Sequence, residues 1–420
     1  MNILHINTMV YGGAASGAYR LHEALKRLGH NSKIIVQEGS NDDEDIIVVG
    51  LSEAEKEQRQ KERLFLKTLK AETDLGFCYF NPMPFFYNFN EQIMSKIPFE
   101  PDLLIVHWTT WFADVETFSL ISKKYNIPVI WYMSDMEPMT GGCHYNFECD
   151  NYCSGCRECL AFDKYIHSVA KRYFSKKQKY ISEMDIKIVA SSTYMLTNAK
   201  KSLLFKDKPM KMILRGIDDK VFYPVSSKKE LRKEWELKED DIVLFFGAYS
   251  IQEARKGMCF LLEGLNILSE RLKICPELKK RVKVIYAGSK GIKDDVIPFK
   301  NIYAGFMRTQ QSLAAIYQLA DVFVCPTMQD SGPMMVSESL MCGTPVVGFK
   351  MGVLPDVVHD GKTGYLADLG DSDGLAVGLE RLLKMSKEER VKMSAYCAKY
   401  AKELLSYKRQ GEAVISFGLA

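Results

Sequence analysis

Short apolar runs separated by polar, helix-compatible stretches repeat along this chain. Near the start, "NILHI" has the pattern of a buried strand and "NTMVYGGAASGA" that of a turn rich in Gly and Ala. The stretch that follows places Ala18, Leu21, Leu25 and Leu28 on one helical face. Gly29 then stops that helix at a C′-like position, and "SKIIVQ" supplies a second strand. Strand, helix, strand in that order predicts a βαβ unit and a parallel sheet. "DIIVVG", "PDLLIVHW", "IPVIWYM" and "IKIVAS" continue the series. The pattern restarts near residue 210 with "MKMIL", and then come "DIVLFFGAYS", "RVKVIYAG", "KNIYAG", "DVFVCPT" and "TPVVGF", with helical stretches between them. The charged run 52–72 reads as a helix with a solvated face.

The expected fold class is therefore α/β, with two doubly wound Rossmann-like domains facing a central cleft. The first is expected over residues 1–215, with a Cys-rich loop at 140–160, and the second over 216–400. A tail over 401–420 is expected to pack back on the first. In such sheets ligands bind outside the carboxyl ends of the strands.

Composition narrows the function. A length of 420 residues is large for one core and suits two domains. A formal net charge of +3 lacks the basic surplus of a dedicated nucleic-acid binder. No apolar run reaches the length of a membrane span, and "MNILHINTMVYGG" lacks the pattern of a signal peptide. The cytoplasm is the expected location, where the 11 cysteines would stay reduced.

The densest chemistry lies in "QDSGPMMVSESLMCGTPVVGF", residues Gln329 to Phe349. Asp330 falls in a loop, Pro333 suits the first helical position, Met334 to Met341 make two turns, and Gly343 closes them. Glu338 then stands about 7–8 Å along the helix from its start. The amides of Met334 and Met335 offer a positive dipole end suited to phosphate, and carboxylates on either side could take the paired hydroxyls of a ribose or a hexose. On spacing alone an equal reading makes Asp330 a helix cap and Glu338 a surface charge.

This stretch resembles the signature of family-4 retaining glycosyltransferases of GT-B fold. That signature has two acids with seven residues between them, then Gly-x-Pro-Val-Val; here these are Asp330, Glu338, Gly343, Thr344, Pro345, Val346 and Val347. With Asp as the first acid, and with "MGVLPDVVHDGKTGYLAD" downstream, it is similar to the subgroup of colanic-acid and capsule biosynthesis. The resemblance implies transfer of a sugar, with retention, from a nucleoside-diphosphate sugar to a glycan or lipid-linked acceptor in surface polysaccharide biosynthesis. No cofactor is implied for catalysis. By the same resemblance Glu338 holds the ribose, Asp330 touches the donor sugar, the Met334 and Met335 amides face sugar or diphosphate, and Gly305, Phe306 and Met307 border the nucleobase.

A departing diphosphate needs positive charge. Arg255-Lys256-Gly257 opens a helix, where cations are unfavourable unless an anion joins them. The family's Lys-Gly pair is matched by Lys256 and Gly257, whereas its usual Arg position holds Ala248, which leaves Arg255 as the substitute. Gly12 and Gly13 follow the first strand, where small residues let backbone approach a ligand. Many relatives have a His where this chain has Ser134. Asp135 beside it is expected to make a polar contact near the acceptor, and His107 to line the cleft unless it is structural. The implied chemistry is charge stabilisation and positioning, not a protein nucleophile.

"GGCHYNFECDNYCSGCREC" gathers Cys143, Cys149, Cys153, Cys156 and Cys159, five of the 11 cysteines. In a reducing compartment this spacing reads as metal binding. Cys156 and Cys159 form a Cys-x-x-Cys pair that Cys143 and Cys149 could complete as a structural zinc site, a choice the family resemblance favours. His144 could replace one sulfur. An iron–sulfur cluster on Cys153, Cys156 and Cys159 ranks below zinc, because the run lacks a trailing Cys-Pro. Unligated buried thiols rank last.

Two other functions fit the same residues less well. One is a metal-binding partner protein of GT-B fold without catalysis, suggested by Ser134 and Ala248. The other is a phosphorylase or epimerase. The basic stretch "AKRYFSKKQKY" offers peripheral membrane contact, with a solvated helix as the simpler reading.

Overall fold

The computed structural model describes residues 1–10, 12–40, 43–68, 88–159, 167–250, 253–289, 291–292 and 296–420. The chain divides into two compact units, Met1–Gly216 with Tyr407–Ala420, and Ile217–Ser406.

The first unit holds strands β1 (Asn2–Met9), β2 (Asn31–Glu38), β3 (Ile46–Val48), β4 (Leu103–Val106), β5 (Val129–Tyr132), β6 (Ile186–Ala190) and β7 (Met210–Met212). They form one sheet in the order β3-β2-β1-β4-β5-β6-β7, parallel throughout. Every residue of β4, β5 and β6 is buried, as expected of parallel strands covered on both faces. The order reverses between β1 and β4, and that reversal is the switch point where such sheets bind ligands.

The helix Gly13–Arg27 after β1 buries Ala18, Leu21 and Leu25 and ends with Gly29 in the left-handed region, at φ 85. It also buries Arg20 and His22, which the apolar stripe does not anticipate. One face of the sheet packs Phe118, Trp131, Met139, Tyr152, Phe174 and Phe205. The other packs Ile3, Leu21, Leu25 and Ile130 with Val414. Val414 belongs to the last helix, Tyr407–Leu419, which lies against the first. Gly411 permits that approach, since a Cβ there would stand 2.6 Å from Leu28 Cδ1. Gln410 fixes the junction: Gly216 N–H donates to its Oε1 at 2.9 Å and its Nε2 donates to Tyr132 Oη at 3.0 Å.

The charged helix Glu53–Thr68 keeps its solvated face with one buried exception among its described residues, and the basic helix His167–Ser182 departs further from a solvated reading. In Glu53–Thr68, Arg59 is buried and donates to Glu38 Oε1 at 3.0 Å; residues 69–72 of that run lie outside the described residues. In His167–Ser182, Lys177 is fully buried against Glu137 Oε1 at 2.6 Å, and Lys176 pairs with Asp114 and Glu116. Two of the lysines expected to face a membrane surface are thus engaged within the unit. Among the described residues no helix is long and apolar enough to cross a membrane.

The second unit holds β8 (Ile242–Gly247), β9 (Val282–Ala287), β10 (Lys300–Tyr303), β11 (Val322–Cys325), β12 (Val346–Phe349) and β13 (Gly364–Ala367). The order is β10-β9-β8-β11-β12-β13, again parallel. Strand β13 is an edge strand that the apolar runs do not announce, because its central residues are half-buried. Its first residue must be glycine: at Gly364, with φ 151, a Cβ would stand 1.8 Å from Val346 O. This sheet reverses between β8 and β11.

Candidate nucleotide-sugar site

The loops after β8 and β11 meet at the reversal of the second sheet. After β8 the chain makes a short 3-10 turn at Ala254–Lys256, then Gly257 at φ 71, then the helix Met258–Arg271. A Cβ on Gly257 would stand 1.8 Å from Pro326 O, so the two loops require glycine there. Arg255 O accepts from Met328 N at 2.8 Å and from Thr327 Oγ1 at 3.1 Å. Lys256 Nζ donates to Asp330 Oδ2 at 2.7 Å, and Arg255 Nη1 to the same oxygen at 3.2 Å. Arg255 Nη2 also pairs with Glu253 at 2.7 Å. Burial works against the Asp330 carboxylate, but Lys256 and then Arg255 outweigh it and hold its pKa below the ordinary 3.8.

The helix Met334–Met341 follows. Pro333 occupies its N-cap rather than its first helical position, and no side chain caps it. Asp330 does not cap the helix either: its Oδ1 accepts from Gly332 N at 3.2 Å, which shapes the loop. The backbone donors of the first turn therefore have no carboxylate of this helix closing them off. Met334 and Met335, which carry two of these amides, are half-buried. Glu338 is 4% exposed, which rules out the surface-charge reading. Tyr317 donates to its Oε2 at 3.3 Å. Burial, with the Glu338 charge beside it, raises the Tyr317 pKa well above its ordinary value and keeps the phenol a donor.

Beside these loops, at the carboxyl ends of β8 and β10, two exposed aromatic rings meet. Tyr249 is 71% exposed and Phe306 is 44% exposed, and their centroids lie 5.3 Å apart, edge to face. Gly305, at φ 74, turns the chain there and accepts from Gly288 N at 3.0 Å. Met307 is half-buried. Sequence reasoning named Phe306 and missed Tyr249. The available signal was an aromatic residue two places after the glycine that ends β8.

The first unit distributes its predicted residues differently. Gly12 and Gly13 are exposed at the start of the helix after β1, with Gly12 at φ 88. Ser134 Oγ accepts from Arg215 Nη2 at 3.0 Å. Asp135 is buried and committed: Oδ2 lies 2.5 Å from His144 Nδ1, and Oδ1 accepts from Glu137 N at 2.9 Å. His107 is 2% exposed, with its ring stacked on His5 and its Nε2 2.9 Å from His5 Nδ1. Burial first, and Arg215 next, push the His107 pKa down to about 3. Asp135 and His107 thus belong to a polar interior at the strand ends and not to an open lining. Arg215 and Arg20, both buried there, had no sequence signal beyond their charge.

In the cysteine loop, Cys156 and Cys159 are buried, and Cys143, Cys149 and Cys153 are half-buried. Gly141 N donates to Cys156 Sγ at 3.2 Å. Burial pushes the Cys156 thiol up to about 12, and the neighbouring Cys159 and Cys149 add to the rise. Among the described residues no three His, Cys, Asp or Glu side chains are placed together to hold a metal ion. His144, considered as a replacement for one sulfur, is paired with Asp135 instead.

Comparison with known proteins agrees with this architecture. Residues 240–385 match the family described as glycosyl transferases group 1. The chain is 23% identical over 225 residues to the N-acetyl-alpha-D-glucosaminyl L-malate synthase of Bacillus anthracis, covering 50% of this chain and 55% of that protein. It thus spans about half the length of the curated relatives it matches. Among solved structures it is similar to HepE of Anabaena in complex with UDP and glucose, with a TM-score of 0.63 and 14% identity, covering 99% of this chain and 98% of that one. It is also similar to the sucrose-phosphate synthase of Thermosynechococcus elongatus, with a TM-score of 0.65, 14% identity, and 99% and 98% coverage. The two parallel-sheet, Rossmann-like units make this a GT-B fold.

Proposed function

We propose that this protein is a retaining glycosyltransferase that moves a sugar from a nucleoside-diphosphate sugar to a glycan or lipid-linked acceptor, in surface polysaccharide biosynthesis. The observation that carries the reading is the joint placement of Lys256, Arg255 and Asp330 at the switch point of the second sheet, beside an uncapped helix start and a buried Glu338. Lys256 and the Met334 and Met335 amides neutralise the leaving diphosphate, the term expected to dominate catalysis. Arg255 holds the loop and shares Asp330. Asp330 and Glu338 accept from sugar and ribose hydroxyls, and Tyr249 with Phe306 flanks the base. Gly12 and Gly13 are proposed backbone contacts for substrate. The matched family and the UDP complex of a structural relative support a sugar nucleotide as donor.

We further assign a structural zinc to Cys143, Cys149, Cys156 and Cys159. The four thiols suit zinc by their chemistry, binding would have to draw together side chains not gathered into a site here, and Cys156 Sγ already accepts an amide N–H of the kind that supports a metal-bound thiolate. The zinc would pin the loop and takes no part in transfer.

The test is turnover. Incubated with UDP-, GDP- and ADP-sugars, the protein should release nucleoside diphosphate from one class, and NMR of the product should show the anomeric configuration kept. Release from none of them, with no stabilisation by any, would favour the non-catalytic partner reading.

A further inference from the structure

A cleft of about 380 Å³ lies in the first unit, between the end of β2 and the helix Glu53–Thr68. Glu38, Leu51, Lys56, Arg59 and Gln60 line it. The volume is in the range of small-molecule sites. Glu38 is the last residue of β2, so the cleft stands at the carboxyl end of the sheet, where such sheets take ligands.

One wall of the cleft is built from buried polar groups. Lys56, Glu57, Gln58, Gln60 and Lys61 are exposed, yet Arg59 among them is 5% exposed. A charge is buried at a cost unless it is paired. Arg59 Nη1 donates to Gln37 Oε1 and, at 3.0 Å, to Glu38 Oε1. Its guanidinium carbon lies 5.8 Å from the centroid of the Trp111 ring. Gln37 is buried, and its Nε2 donates to Trp111 O at 2.9 Å. Trp111, in the loop after β4, has φ 64, a left-handed conformation that is an outlier for so bulky a residue. Strain of this kind gathers at ligand sites, where the surroundings hold it in place. The chain of contacts from Trp111 through Gln37 and Arg59 to Glu38 thus fixes this wall before a ligand arrives.

The lining mixes signs. Arg59 is paired with Glu38, and Lys56 Nζ donates to Glu53 Oε1 at 2.6 Å, so neither cation is a surplus charge that calls for an anion. A carboxylate, a guanidinium and a carboxamide side by side match groups that both donate and accept, which is what hydroxyls do. Leu51 adds an apolar contact for the C–H face of a ring. The Glu38 side chain is 38% exposed and so remains within reach of a ligand.

We propose that this cleft binds one sugar unit of a glycan, with Glu38 accepting from its hydroxyls and Arg59 held behind Glu38 as the positioning group. Sugar binding here stands independently of transfer; only its purpose, to hold the glycan being extended, rests on the transferase reading.

The full chain is titrated with methyl α-glucoside, methyl α-galactoside, methyl α-mannoside and N-acetylglucosamine, and binding is read by saturation-transfer NMR. At least one should bind wild type. Glu38→Gln and Gln60→Trp should each weaken it about five- to tenfold, the first by removing a charged acceptor and the second by filling the cleft. Gln60 is exposed, so its replacement keeps the test open if Glu38→Gln folds poorly. Asp330→Asn, in the second unit, should leave this binding in place. The proposal is overturned if none of the four sugars binds, or if both cleft variants bind as wild type does, which would put the sugar elsewhere. Absence of turnover with every sugar nucleotide would remove the transferase reading, while the NMR titration still decides this one.

Discussion

Lys256 Nζ lies 2.7 Å from Asp330 Oδ2, which joins the cation expected for a diphosphate to the acid expected for a sugar. Neither residue can be altered without changing the other's surroundings. In Lys256→Ala, Asp330 keeps Arg255 and the Gly332 amide, the ammonium proposed to meet the diphosphate is gone, and turnover should fall about 10²–10³-fold. In Asp330→Asn, Lys256 is released from its carboxylate, so nucleoside diphosphate should bind at least as tightly while turnover falls. Calorimetry and steady-state rates on the two variants separate these effects.

The same ion pair makes a pH prediction. The folded-state pKa of Asp330 is lowered from 3.8, so its contribution to stability is present above 3.8 and is lost as pH falls through the lower folded value. Wild type should exceed Asp330→Asn by about 1–3 kcal/mol near neutrality. That gap should close only in strong acid. Denaturant melts of both proteins across the acid range measure it, and a gap that closes between pH 5 and 7 would point to another group.

Tyr249 and Phe306 are exposed at the ends of β8 and β10 and meet edge to face. If a base stacks there, Tyr249→Ala and Phe306→Ala should each weaken nucleotide binding by about 1–3 kcal/mol. Binding of inorganic pyrophosphate should not change. Equal losses for nucleotide and pyrophosphate would show that the rings only support the loops.

The cysteine loop predicts about one zinc per chain in protein purified without added metal. Replacing Cys156 by Ser should release it and lower the melting temperature. Metal analysis that finds neither zinc nor iron would remove the assignment.

The strands were legible because a parallel sheet covered on both faces writes itself as unbroken apolar runs, as in "LLIV", "VIWY" and "VFVC". β13 was not, because an edge strand with half-buried central residues needs no such run. The helix after Pro333 was legible from Gly, Pro and the apolar turns that follow. Its partnership with Lys256 was not, because residues 256 and 330 meet only when β8 and β11 become neighbours. The interior of the first unit was the least legible part. His5, His22, Arg20 and Arg215 are polar residues inside a layer whose sequence pattern signals only apolar packing. Their burial comes from the packing of β1, the helix after it and the segment after β7 against one another. Asp135 was read as a polar contact near the acceptor, and His107 as cleft lining unless structural, for the same reason: their position at strand ends was visible, and their partners His144 and His5 were not.

The most direct measurement is a thermal-shift titration with UDP-, GDP- and ADP-sugars on wild type, Lys256→Ala and Glu338→Ala. One donor class should stabilise wild type, and neither variant should respond, since each has lost a group proposed to meet the diphosphate or the ribose. Variants that respond and turn over as wild type does would contradict the account.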